Sequence, residues 1–248
     1  MTEHALVIGE ALVDVVRRPD GSQAAHPGGS PANVALGLAR LGRRAELLTY
    51  LGDDAYGTLV RHHVESSGAT IALGSPAPHT SVATATLDAQ GVATYDFDLT
   101  WDIAGDATTL PSPLVVHTGS IAAVLEPGAT AVTRILSAAR EGATVTYDPN
   151  VRPSLMGDRA DAAARIERLV ALSDVVKVSD EDLAWLFPGE QPADAASLAR
   201  FGARTRRRHP GRRGCTCGNT RRCDRSAPRQ RRGRRHRGGR RFVYVRAH

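Results

Sequence analysis

Five short apolar runs punctuate the first 180 residues, and each gives way further on to a stretch with helical spacing. Ala5–Ile8, Ala45–Leu51, Leu114–His117, Thr144–Tyr147 and Val175–Val178 are too short for buried helices, so they read as strands. The stretches between them, Ala32–Leu41, Ala55–Ser67, Gly128–Arg140, Arg159–Leu172 and Asp180–Phe187, carry apolar residues three or four apart. A further helix is predicted at Ala193–Phe201. Strand–helix alternation of this kind restricts the chain to an α/β class with a parallel sheet and helices on both faces.

Two segments depart from that rhythm. Val13–Val16 is followed by the turn chemistry of Arg17-Arg18-Pro19-Asp20-Gly21, and Ser81–Leu87 is joined to Val92–Phe97 by Asp88-Ala89-Gln90-Gly91. Both are hairpin signals, and they predict a small β appendage beside the main sheet. His26–Pro31 reads as a loop in which Ser30 caps a helix with Pro31 at its first position.

Charge divides the chain at residue 204. The whole has a net charge of +6, but residues 1–204 carry −10, and residues 205–248 carry 17 Arg, one acid (Asp224) and all three Cys, a net of +16. The body, residues 1–204, is long enough for one core and a lid. The tail is too charged and too poor in apolar residues to pack, so it is expected to be disordered. Cys215-x-Cys217 and Cys223 lack the paired spacing of a zinc site. No run of ~18 apolar residues occurs and the start has no basic region before an apolar stretch, so no membrane partner and a cytoplasmic location are expected.

Chemistry-bearing residues gather at the ends of the predicted strands. Gly9-Glu10-Ala11-Leu12-Val13-Asp14 places a carboxylate just beyond a strand, the edge at which open α/β sheets bind ligands and where it could grip a sugar diol. An isolated Asp is more often a solvated turn residue. Gly28-Gly29-Ser30-Pro31-Ala32-Asn33 opens a helix after two glycines that let a backbone approach a ligand, with Asn33 able to bond a hydroxyl. Together with Leu51-Gly52-Asp53-Asp54-Ala55-Tyr56-Gly57, Tyr147-Asp148-Pro149-Asn150-Val151-Arg152-Pro153 and Lys177-Val178-Ser179-Asp180-Glu181-Asp182-Leu183, these segments give residues 4–204 an order and spacing that resembles the PfkB (ribokinase/fructokinase) family of carbohydrate kinases, its fructokinase branch most of all.

The resemblance implies a ribokinase-like parallel-sheet core with a small β lid, and ATP-dependent phosphorylation of a sugar hydroxyl, with Mg²⁺. Asp14, Gly28, Gly29 and Asn33 would bind the sugar, fructose or a related one, while Asp148, Asn150, Arg152, Ser179 and Asp182 would lie in the phosphate and metal region. The family's Asn-x-x-Glu motif is altered here, with Ser179 for Asn and Asp182 for Glu, so no direct metal ligand is assigned. A homodimer paired through the lid is a further implication of the family.

The family's Asp-Thr-x-Gly-Ala-Gly-Asp motif, which supplies an anion hole and the general base, does not occur in the chain. The catalytic residue is therefore missing. A one-base shift explains this. Read one base forward, His236–Ala247 permits Asp-Thr-x-Gly-Ala-Gly-Asp-Ser-Phe-Met-Ser-Ala, and Thr205–His209 permits the strand Leu-Val-Val-Val-Thr. The expectation is a sugar kinase domain over 1–204, truncated by a frameshift, followed by an out-of-frame tail over 205–248, incomplete at its C-terminus, poorly stable and with an exposed strand edge. A sugar-binding α/β module with an Arg-rich nucleic-acid arm is the rival. Nucleic acid is not the expected partner, because the tail offers only Phe242 and Tyr244 for stacking.

Overall fold

A computed structural model describes residues 4–73, 76–103 and 112–189, and the backbone of 242–246. The predicted helix at 193–201, the frame-shifted segments before residue 242 and the cysteines lie outside the described residues.

The main sheet has the order β11-β10-β9-β8-β1-β4-β5. Its strands are β1 (Ala5–Ile8), β4 (Ala45–Thr49), β5 (Thr70–Leu73), β8 (Val115–Gly119), β9 (Thr144–Asp148), β10 (Val175–Ser179) and β11 (Phe242–Arg246). All neighbours pair in parallel except β10 and β11, which are antiparallel. Alternation along each strand sends its side chains into two cores. Val7 and Leu47 join Ala35 of α1 (Ser30–Arg40) and Val60 and Val64 of α2 (Ala55–Glu65). Ile8, Val116, Val145 and Val176 join Leu136 of α3 (Gly128–Ala139), Ile166 and Leu169 of α4 (Arg159–Leu172) and Leu183 of α5 (Asp180–Leu186). The predicted doubly covered parallel sheet is thus the observed core.

A second sheet, β3-β2-β6-β7, forms the lid. It is built from β2 (Leu12–Arg17), β3 (Gln23–Gly28), β6 (Val82–Leu87) and β7 (Ala93–Asp98). The two hairpins join through the parallel pair β2–β6. Three local expectations change. His26–Gly28 belongs to β3 and not to a loop, because Asp14 faces His26 and Leu12 faces Gly28 across the ladder. Gly29, not Ser30, caps α1, and no side chain takes part in the cap. Strand β5 was not predicted. At the C-terminal end, Phe242–Arg246 is a strand where disorder was expected, and it covers the edge of β10 that was expected to stand open.

Candidate active site

The parallel strands end at a cavity of about 740 Å³, roofed by the lid and lined by Glu10, Asp14, Gly29, Asn33, Asn150 and Arg152 among others. That size suits a small-molecule site. The first four arrive by one stretch of chain. Strand β1 ends at Ile8, the chain passes Glu10 into β2, which carries Asp14, and β3 returns to the start of α1 at Gly29 and Ser30. The glycine pair has two steric reasons. A Cβ on Gly28 would stand 2.2 Å from Asp14 Oδ2, and Gly29 has φ 105° with a Cβ position 2.4 Å from the Glu10 carbonyl. Gly28 therefore lets the Asp14 carboxylate lie against the backbone, although it does not itself line the cavity. Surrounding protein raises the Asp14 carboxyl above its usual range, and His26 pulls it back.

Asn150 and Arg152 reach the cavity from the end of β9. Asn150 has φ 39° and Ser120, across the cavity floor, has φ 58°; they are the only non-glycine residues with positive φ among those described. Asn150 Nδ2 donates to Ser120 Oγ at 3.4 Å. Left-handed residues without glycine's freedom store strain, and such strain gathers at functional sites. Arg152 folds back, donating to the carbonyls of Asn150 and Val151 at 3.2 and 3.0 Å.

The other three predicted residues stand behind the cavity. Asp148 Oδ2 accepts from Lys177 Nζ at 2.7 Å, leaving Oδ1 buried and without a hydrogen-bond partner. Burial raises the Asp148 carboxyl, with Lys177 opposing. Ser179 and Asp182 form a capping box for α5: Ser179 Oγ accepts from the Asp182 amide and Asp182 Oδ2 from the Ser179 amide, both at 3.1 Å. Asp182 Oδ1 also accepts from the Val151 amide at 2.8 Å, which fixes the loop bearing Asn150 and Arg152. Both Asp182 oxygens are thus occupied by backbone. No group of three or more potential metal-ligating residues exists among the described residues. These three residues, expected in the metal region, thus offer the cavity no free acceptor: both Asp182 oxygens are bonded, and Asp148 Oδ1 is buried outside the lining.

Several site residues were not singled out from the sequence. Glu10 is 6% exposed and accepts from the Ala122 amide at 3.3 Å. Burial pushes its carboxyl up to about 7, against hydrogen bonds from its own backbone, Ser120, Ala122 and Ser30. Its place directly after a strand-ending glycine was the available signal. Ser120 had none, because its value lies in a backbone angle. Tyr95 and Phe97 stack at 6.0 Å on β7 and line the cavity from the lid, as their i, i+2 spacing in a predicted hairpin allows. Outside the cavity lining, on β8, His117 Nδ1 lies 2.9 Å from Thr146 Oγ1, and burial, aided by Lys177, pushes the imidazole down to about 4. A second cavity of about 630 Å³, between α3 and α4, contains none of the predicted site residues.

A lidded α/β sheet with a carboxylate and an amide over its strand ends defines a ribokinase-like small-molecule enzyme fold. The comparisons with known proteins narrow this to a family. The model of the pfkB family carbohydrate kinase matches residues 2–215, and the chain belongs to that family. It is 33% identical over 206 residues to a fructokinase of Klebsiella pneumoniae, covering 80% of this chain and 66% of that protein. It is 34% identical over 190 residues to an Escherichia coli fructokinase, covering 73% and 62%. The chain thus spans just under two thirds of these relatives. Among solved structures, a fructokinase from Xylella fastidiosa matches with TM-score 0.69 and 27% identity over 79% of this chain and 69% of that one. A Vibrio cholerae fructokinase, in a form with fructose, ADP and calcium ion bound, matches with TM-score 0.68 and 25% identity over 81% and 68%.

Proposed function

We propose that residues 1–204 are the sugar-binding body of an ATP-dependent fructokinase-like enzyme, and that residues 205–248 are its C-terminal part read out of frame. The observation that carries the first half is the convergence of Asp14, Asn33, Asn150 and Arg152 on one lidded cavity. Fructokinase relatives support the choice of sugar. Asp14 accepts hydrogen bonds from a sugar diol, Asn33 bonds a further hydroxyl, and the aromatic pair on β7 covers the apolar face of the ring and excludes water. Asn150 and Arg152 stand where the γ-phosphoryl group of ATP must come to meet the sugar, Arg152 supplying positive charge. Mg²⁺ bound with ATP would neutralise phosphate charge.

The second half rests on sequence content. The base that removes the proton from the sugar hydroxyl and the amide nest that steadies the transferred phosphoryl group have no counterpart in the 248 residues. The chain as written therefore binds sugar without turning it over. A cytoplasmic location and dimerisation through the open lid edges β3 and β7 belong to the same proposal.

Fructose titration followed by calorimetry tests the binding half. Saturable binding that Asp14→Asn weakens about a hundredfold is expected, since a charged acceptor is lost to two hydroxyls. Equal binding by both proteins would remove Asp14 from the site. If salt-sensitive RNA binding through residues 205–248 replaces sugar binding, the chain is a nucleic-acid module instead.

A further inference from the structure

The Leu51–Gly57 segment touches none of the cavity, yet it contains Asp54, whose carboxylate accepts three hydrogen bonds. Asp54 caps α2 by accepting from the Gly57 amide at 2.7 Å. The same carboxylate reaches 26 residues along the chain. Oδ2 accepts from the Thr80 amide at 2.7 Å and Oδ1 from the Thr80 hydroxyl at 2.8 Å. Thr80 Oγ1 in turn accepts from the Gly52 amide at 3.1 Å. Burial raises the Asp54 carboxyl, but the bonds from Gly57 and Thr80 outweigh it and hold it below the usual range.

Thr80 is where the chain leaves the core for the lid. It is 1% exposed and precedes Ser81 and the first residue of β6. The outgoing and returning strands are joined at that point: Ser81 Oγ donates to the Thr100 carbonyl at 3.1 Å and accepts from the Thr100 amide at 3.0 Å. Next to Thr100, Trp101 Nε1 donates to the Ala122 carbonyl at 3.0 Å. Both roots of the β6–β7 hairpin are therefore seated on the core through Thr80 and Trp101, and the hairpin carries Tyr95 and Phe97 over the cavity.

We propose that Asp54 is a positioning residue for the lid: by holding Thr80 at the root of β6, it sets where the β6–β7 hairpin stands over the sugar. A cap alone would need only the Gly57 bond. The two bonds to Thr80 lie beyond the cap and tie the lid root to the start of α2. This rests on the sugar-pocket reading for its functional meaning, but the anchoring itself does not.

The test compares Thr80→Val, Thr80→Ser and Asp54→Asn in the full chain. Thr80→Val keeps the volume and loses both hydroxyl bonds, whereas Thr80→Ser keeps them. Amide hydrogen exchange in the unliganded protein reads lid anchoring directly. Thr80→Val is expected to speed exchange across residues 82–98 about tenfold while leaving β1, β4 and α3 unchanged, with Thr80→Ser close to wild type. Fructose affinity should fall about tenfold in Thr80→Val and recover in Thr80→Ser. Asp54→Asn should share the lid effect if it folds. Should Thr80→Val exchange and bind like wild type, or should exchange rise uniformly over core and lid, the assignment is overturned. If wild type binds no fructose, the sugar reading fails, and lid exchange still decides the role of Asp54.

Discussion

Glu10 and Asp14 are four residues apart and differ in environment. Asp14 faces the cavity opening, while Glu10 is buried beneath it with a carboxyl at about 7. A carboxyl raised on folding contributes stability that is complete below about pH 4.5 and is lost as pH climbs towards 7. Glu10→Gln should remove this slope: urea denaturation should show wild type losing stability between pH 5 and 7.5 relative to the variant, by on the order of 3 kcal/mol. Parallel profiles would mean that Glu10 is charged in the folded protein. Lys177, the only lysine of the chain, is the partner of Asp148. Lys177→Met leaves a partly buried carboxylate unpaired and should cost about 1–3 kcal/mol by the same measurement. Asp14 and Asn33 could be picked out from the sequence because a polar residue beside a strand end or after a glycine pair is a local pattern. Ser120 and the Lys177–Asp148 pair depend on which strands become neighbours, and no local pattern carries that.

Among the elements, those with chemical punctuation at both ends were readable. Helix α4 has its predicted bounds because Asp158 accepts from the Ala160 and Asp161 amides and Ser173 ends the apolar spacing. Strand β5 is four residues long, and its start, just after Gly68, resembles the helix end that the glycine marks. Segment 179–182 shows two chemistries competing for one pattern. Ser-x-x-Asp at a strand end suits both a phosphate-side motif and a capping box, and in the fold both Asp182 oxygens bond backbone amides. Ser179→Ala should therefore destabilise the protein by about 1 kcal/mol, read by thermal denaturation, and loosen the Asn150–Arg152 loop. No loss of stability would mean that the box contributes little to α5.

For the whole molecule, a single net charge of +6 averages an acidic body and a basic tail. The body accounts for the lidded sheet and the cavity, and the family match runs from residue 2 only into the first part of the tail. Within the tail, the strand Phe242–Arg246 runs antiparallel to β10, in a sheet whose other neighbours are all parallel. No helix among the described residues is long and apolar enough to cross a membrane. We propose a sugar kinase body joined to an out-of-frame C-terminal part. The most direct test is fructose-dependent ADP release by the chain as written and by the product of a one-base correction near codon 205. No turnover is expected from the first and an ordinary kinase rate, about 1–100 per second, from the second. Turnover by the chain as written, or a folded but inactive corrected protein, would contradict the proposal.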